Sequence, residues 1–249
     1  DEIKCNVKAS LTQTSTSIDE DSGNTIDFTI SGAPSGVTYS VSTSGTATEG
    51  TDYESISDIS INSSNTTFSL TLIDDSISDI NETIDISLAP TGGDITFCKT
   101  ALNSQTITIV DDEAAPTITL AASASSIAEN AGSSITLTAT SSIISGSDIT
   151  VSFDTSGTAT EGTDYGTISD ITISAGSTTG TTTFTPTDDS MYETSTDETA
   201  TVAIGTVSGG GATESGSQSV TLTIEENDSA PTVTLTASSS SIAENAGTS

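Results

Sequence analysis

The ten residues "SGTATEGTDY" stand at 44–53 and again, unchanged, at 156–165. A repeat of this period limits the fold more than any other feature, because each copy must be one structural unit built the same way. The match extends well beyond those ten positions. "SIDEDSG" at 17–23 answers "SIAENAG" at 126–132, the Asp pair at 74–75 answers the pair at 188–189, and "TIVDDEAAPTITL" at 108–120 answers "TIEENDSAPTVTL" at 223–235. "APTVTLTASSSSIAENAG" at 230–247 then restates 115–132. This predicts one repeat over residues 1–113, a second over 114–228, and over 229–249 the start of a third repeat or a linking or docking strand.

Within each copy apolar residues alternate with Ser and Thr. Ile26, Phe28 and Ile30, then Phe68, Leu70 and Leu72, then Ile84, Ile86 and Leu88 show it in the first copy. Ile149, Val151 and Phe153, then Val220, Leu222 and Ile224 show it in the second. Period two marks a strand with one buried face, and no stretch carries a helical period. Half-buried strands without helices close a core by packing two sheets face to face, so an all-β fold of tandem sandwiches is expected. Tyr53 and Tyr165, at the end of the ten-residue repeat, are expected in or at the rim of that core.

The formal charge of −32, from 35 Asp plus Glu against 3 Lys plus Arg, excludes nucleic acid or an anionic membrane surface as the default partner and favours a cation. No apolar run is long enough to cross a bilayer, so no membrane insertion is expected. The chain starts at Asp1 with no basic-then-apolar leader, which points to a processed secreted protein or a piece of a longer one. Cys5 and Cys98 are the only cysteines. In an oxidising compartment they are expected to pair, closing most of the first repeat and contributing about 4–5 kcal/mol in the chain-entropy account.

Enzyme chemistry finds little to work with. The chain has no His, which removes a Ser-His-Asp triad and any His-bearing metal site, and no Trp of the kind that lines a sugar cleft beside paired carboxylates. "SGGGATESG" at 208–216 lacks the Lys and helix of a phosphate loop and reads as a hairpin tip. Asn-x-Ser/Thr sequons at Asn62, Asn65, Asn81 and Asn227 matter only in a cell that N-glycosylates.

The acids are not scattered. Each copy places them just outside strands in four places: Glu20, Asp52, the run Asp74, Asp75, Asp79 and Glu82, and the exit Asp111, Asp112 and Glu113. The second copy answers with Glu129, Asp164, then Asp188, Asp189, Glu193 and Glu198, then Glu225, Glu226 and Asp228. Calcium is a hard cation that takes six to eight oxygen ligands, and a sandwich brings strand ends to common poles where separate loops supply them. An Asp pair after a strand is also an ordinary turn former, but four acidic groups in one order in two copies exceed what turns require. The short acidic linkers "DDEAAP" and "ENDSAP" leave little slack, so a cation at the exit of one repeat would brace the next.

The order of "E-N-x-G", "GTAT-x-G-x-DY", "DD" followed by "NET" or "DET", and a terminal acidic run resembles the Calx-beta motif of sodium/calcium exchanger regulatory domains and of many extracellular matrix and bacterial surface proteins. The resemblance covers both repeats and the partial third. It implies seven-stranded, immunoglobulin-like sandwiches with Ca2+ at one pole. The ligands it implies are Glu20, Asp52, Asp74, Asp75, Asp79, Glu82, Asp111 and Asp112 in the first repeat. In the second they are Glu129, Asp164, Asp188, Asp189, Glu193, Glu198, Glu225 and Glu226, with Asp197 an alternative to Glu198 because "TSTD" stands where the first repeat has "IN".

The function expected is a non-enzymatic, calcium-rigidified repeat of a secreted or cell-surface protein, such as an adhesin stalk or matrix fibre. Its partners would be calcium, adjacent repeats of the same or neighbouring chains, and a cell-surface or matrix ligand. Two alternatives remain: a self-assembling extracellular filament joined through the C-terminal strand, and a calcium sensor pair.

Overall fold

The computed structural model describes residues 9–21, 23–33, 35–61, 65–92, 104–192, 197–241 and 244. Cys5, Cys98 and Glu193 lie outside the described residues, and with them the expected disulfide and one implied ligand.

Described residues of the first repeat form eight strands: β1 (Ser10–Gln13), β2 (Ser17–Asp19), β3 (Thr25–Ser31), β4 (Thr38–Gly45), β5 (Ile59–Ser60), β6 (Asn65–Thr71), β7 (Glu82–Gly92) and β8 (Gln105–Val110). The second forms nine: β9 (Thr117–Ala122), β10 (Ser126–Ala128), β11 (Ile135–Ser141), β12 (Ile149–Gly157), β13 (Ile171–Ile173), β14 (Thr179–Phe184), β15 (Glu198–Ser208), β16 (Thr213–Glu214) and β17 (Ser219–Glu225). In the first repeat a β1-β3-β6 sheet packs on a β2-β8-β7-β4-β5 sheet. The second repeats this as β14-β11-β9-β16 on β10-β17-β15-β12-β13.

The expected seven strands become eight and nine for two reasons. The first strand breaks in two and switches sheets, giving β1 with β2 and β9 with β10, and the second repeat adds the two-residue β16. That switch positions the acids. β2 runs parallel to β8 and β10 parallel to β17, while every other pairing between these strands except the short β16–β9 one is antiparallel among the described residues. The residue following β2 therefore sits beside the residues following β8.

The alternation sets the cores. Ile26, Phe28, Ile30, Ile84, Ile86, Leu88 and Ile107 are buried in the first repeat, and Ile118, Leu137, Val151, Phe184, Val202 and Leu222 in the second. Aromatic packing adds stacked Phe28 and Phe68 at 4.9 Å and tilted Tyr165 and Phe184 at 4.8 Å between ring centroids. At roughly 2 kcal/mol for each fully buried aliphatic side chain, these faces are the main favourable contribution to folding.

The repeats touch through backbone. Ser78 of the first and Ser145 of the second form an isolated parallel bridge, in which the Ser78 N–H donates to the Ile144 carbonyl at 2.9 Å and the Gly146 N–H to the Ser78 carbonyl at 3.2 Å. Residues 226–241 carry no strand. Val233 and Leu235 are 95% and 100% exposed, whereas Ile118 and Leu120, which precede them in the repeated sequence, are 0% and 8% exposed in β9.

Candidate metal centre

The ten-residue repeat folds identically in both copies. Gly45 and Gly157 approach the neighbouring strand so closely that a Cβ would lie 2.1 Å from the carbonyl oxygens of Thr83 and Thr199, at φ of 124° and 130°. Glycine is needed there for space as well as backbone conformation. The chain then turns through Gly50 and Gly162, whose N–H groups donate to the Tyr53 and Tyr165 carbonyls at 2.8 and 2.7 Å. Both tyrosines are buried in the core, as expected. Asp52 Oδ2 accepts the Thr48 N–H at 2.5 Å and Asp164 Oδ2 the Thr160 N–H at 2.6 Å, so each aspartate closes its own turn while facing the acidic pole. Glu49 and Glu161, repeated just as faithfully, are exposed.

The parallel pairing delivers the next acid. The Glu20 N–H donates to the Val110 carbonyl and the Glu129 N–H to the Glu225 carbonyl, both at 3.0 Å. This continues each parallel ladder by one residue and sets Glu20 and Glu129, only 6% and 5% exposed, against the exit acids. Carboxylate oxygens of Glu20, Asp111 and Glu113 lie within 4.8 Å of one another, as do those of Glu129, Glu226 and Asp228. Asp74, Asp112 and Glu113 form a further trio in the first repeat.

The Asp pairs after β6 and β14 serve as turn and pole together. Asp75 Oδ1 accepts the Ile77 N–H at 2.7 Å and Asp189 Oδ1 the Met191 N–H at 2.6 Å, while the Asp189 N–H donates to Glu129 Oε1 at 3.1 Å. Asp74 and Asp188 are exposed, each at the acidic pole of its own repeat, Asp188 near Asp228. The Asp79 N–H donates to Asp111 Oδ1 at 3.1 Å. Glu82 is hydrogen-bonded to Asp52 and Glu198 to Asp164, so Glu198 takes the place of Glu82 despite the two extra residues before it. Asp197 instead accepts the Glu226 N–H at 3.3 Å.

Glu113 and Asp228 are absent from the ligand set implied by the family resemblance, and both belong to the trios. Their signal was in the ungapped match of the two exits, which pairs Asp111 with Glu226 and Glu113 with Asp228. The acids exchange lengths between the two positions, Asp then Glu in one copy and Glu then Asp in the other. By the same match Glu225 stands opposite Val110; it is exposed and belongs to neither trio. Asp228→Asn is expected to weaken cation affinity, measured by calorimetric titration of the full chain.

Crowding of like charge shifts these groups as elementary electrostatics requires. Burial, then the charges of Asp75 and Asp111, push Glu20 up to about 7. Burial, then the charge of Asp52, raise Glu82 to about 7 as well. Glu113, Glu129 and Glu198 are also raised, first by burial and then by neighbouring carboxylates or, for Glu129, against the opposing hydrogen bond from Asp189. Carboxyl pairs such as Glu82–Asp52, Glu198–Asp164 and Glu113–Asp111 hydrogen-bond to each other, which needs a proton between them. A divalent cation supplies positive charge to the same oxygens without protons.

The donor set fits a hard cation. It is all oxygen, with no His in the chain. Of five buried side-chain N or O atoms that lack a hydrogen-bond partner among the described residues, three are carboxylate oxygens of these clusters: Glu113 Oε2, Glu198 Oε2 and Asp228 Oδ2. A buried oxygen without a donor is costly, and a bound cation would satisfy it.

The chain is similar to calcium binding domain CBD12 of CALX1.1, at 20% identity over 77% of each chain with a TM-score of 0.30. It is similar to the apo-form Calx CBD1 domain, at 20% identity over 45% of this chain and 99% of that one with a TM-score of 0.38. It is also similar to the Yersinia pseudotuberculosis adhesin InvE, at 12% identity over 88% of this chain and 60% of that one with a TM-score of 0.44. No curated protein matches. The model of one family, the Calx-beta domain, matches residues 4–113 and again 111–228. Two matches that together take in nearly the whole chain, on a fold with no helix among the described residues, establish that it belongs to the Calx-beta domain family.

Proposed function

We propose that this chain is a non-enzymatic, calcium-binding tandem repeat of an extracellular protein, in which calcium stiffens a cell-surface or matrix stalk. Calx-beta domains are calcium-binding domains. The observation that carries the reading for this chain is the recurrence of one carboxylate trio, Glu20–Asp111–Glu113 and Glu129–Glu226–Asp228, in both repeats. Around these we assign Asp52, Asp74, Asp75, Asp79, Glu82 and Asp112 to the first centre, and Asp164, Asp188, Asp189, Glu193 and Glu198 to the second. Repeat boundaries fall at 113 and 228.

The mechanism is electrostatic. Without metal, each pole is held together by shared protons and loosened by repulsion between the remaining carboxylates. Calcium neutralises the pole and ties the 20, 52, 74–82 and 111–113 segments to one point. The first pole adjoins the second repeat, so order there limits motion at the joint. The exposed alternation of Val233 and Leu235 favours a second role for residues 229–249, as the opening strand of another repeat or as the joining strand of a filament.

Calorimetric titration of the metal-free chain with calcium, paired with small-angle scattering, tests the reading. Saturable uptake and a narrower end-to-end distribution are expected with calcium. Magnesium, which holds its water and demands near-octahedral geometry, should substitute poorly. No uptake at millimolar calcium sinks the proposal.

A further inference from the structure

Two glycines of the second repeat are unexplained by the metal centres, and both meet the bridge between repeats. Gly146 has no left-handed backbone to justify it. Its justification is space, since a Cβ would lie 1.7 Å from Asp79 Oδ1 and 2.7 Å from Asp79 Cγ in the first repeat. The Gly146 N–H also hydrogen-bonds the Asp79 carboxylate as well as the Ser78 carbonyl. Gly210 lies in the glycine-rich turn, where a Cβ would stand 2.3 Å from Ser145 Oγ. Ser145 is the partner of Ser78 in the bridge, and these two polar residues are 2% and 4% exposed. The Gly209–Gly211 turn thus makes room for Ser145, and Ser145 with Gly146 makes room for the Ile77–Asn81 loop. A cleft of about 320 Å³ between the repeats is lined by Asp79, Asp111 and Glu113 from one side and Gly210 and Gly211 from the other.

We propose that the Ile143–Ser147 loop and the Gly209–Gly211 turn form a socket for the Ile77–Asn81 loop, and that Gly146 is a positioning residue for the first repeat's cation centre. The proposal rests on the calcium reading above and adds a direction to it. Asp79 is shared: its N–H is held by Asp111, its carboxylate faces the first acidic pole, and Gly146 of the other repeat holds that carboxylate in place. Closing the joint and filling the first centre are then one linked equilibrium, and linkage is reciprocal. A residue with no acidic group, in the repeat that does not own the site, sets that site's affinity. Adding a Cβ at 146 must either turn Asp79 out of the pole or open the bridge. The second centre, at the far pole beside Ser229, has no such dependence.

The test uses the full chain, with calcium titrations of the unsubstituted protein, Gly146→Ala, Asp79→Ala and the double variant, and circular dichroism to verify that the second repeat keeps its fold. Gly146→Ala is expected to weaken one class of calcium sites about fivefold or more, the lower bound for allosteric coupling, and to leave the other class unchanged. In the Asp79→Ala background, where the clash is gone, Gly146→Ala should cause no further loss. Scattering should show a broader inter-repeat distribution for Gly146→Ala in calcium. Unchanged affinity in a folded Gly146→Ala chain that still binds calcium overturns the socket and leaves the calcium reading standing. Equal losses from Gly146→Ala with and without Asp79 also overturn it, by showing that the effect does not pass through Asp79. Absence of calcium uptake by the unsubstituted chain overturns the calcium reading, and this coupling with it.

Discussion

Stripped of divalent cations, the protein is expected to melt at a higher temperature at pH 5 than at pH 7.5, and saturating calcium is expected to reverse that order. Glu20 and Glu82, both raised from 4.5 to about 7, bind protons in the folded chain that the unfolded chain has already released. Their contribution is fully present below about 4.5 and is lost as pH rises through about 7, because the stability slope follows the difference in bound protons. Asp79, Glu113, Glu129 and Glu198 are displaced in the same direction and steepen the loss. Calcium competes for the same oxygens and needs them deprotonated, so its stabilisation grows with pH. At a hundredfold excess over Kd, one site adds about 2.7 kcal/mol, which for a repeat of this size raises the melting temperature by about ten degrees. Calorimetric scans at the two pH values, with chelator and with calcium, measure all four corners. A metal-free chain more stable at pH 7.5 than at pH 5 contradicts the crowded-carboxylate account of the poles.

The fold was largely readable because its determinants are local and periodic. The Ile26–Phe28–Ile30 and Ile84–Ile86–Leu88 alternations can face a core only as strands, and a one-residue slip would expose them all. The division of the first strand was not readable. "KASLTQTSTSID" and "TITLAASASSIA" carry no Gly or Pro to mark the crossing between sheets, which is fixed by the far end pairing parallel to β8 or β17. The site followed the same divide. Asp52 and Asp164 could be singled out because a repeated turn places them, whereas Glu113 and Asp228 depend on how the last strand lies against Glu20 and Glu129. Their exchange of length with Asp111 and Glu226 hides the equivalence from residue identity and preserves it in space. The joint was least visible, because Gly146 acts through what it lacks and its neighbour Asp79 is 67 positions earlier in the sequence.

Asp52→Asn is expected to separate the turn from the cation centre. Asp52 has two attachments: Oδ2 accepts the Thr48 N–H, and the same carboxyl group meets Glu82. Asparagine keeps an acceptor for Thr48 and brings a donor for the Glu82 carboxylate, so the turn that carries Tyr53 into the core survives. What changes is charge. In the metal-free chain one of the carboxylates that raise Glu20, Asp79 and Glu82 is removed, so the variant should melt at the same temperature as the unsubstituted protein or a few degrees above it at pH 7.5. In saturating calcium the first centre lacks a central anionic ligand, and the gain of about ten degrees expected there should largely vanish, while the second repeat keeps its own. Asp164→Asn should give the mirror result, with Glu198 in the place of Glu82. The informative quantity is the difference between the calcium-induced shifts rather than either melting temperature alone. If Asp52→Asn unfolds the first repeat even in calcium, the aspartate is needed for the turn and the ten-residue repeat is conserved between copies for folding. If it leaves the calcium shift intact, the cation is held by the Glu20, Asp111 and Glu113 side of the pole without it.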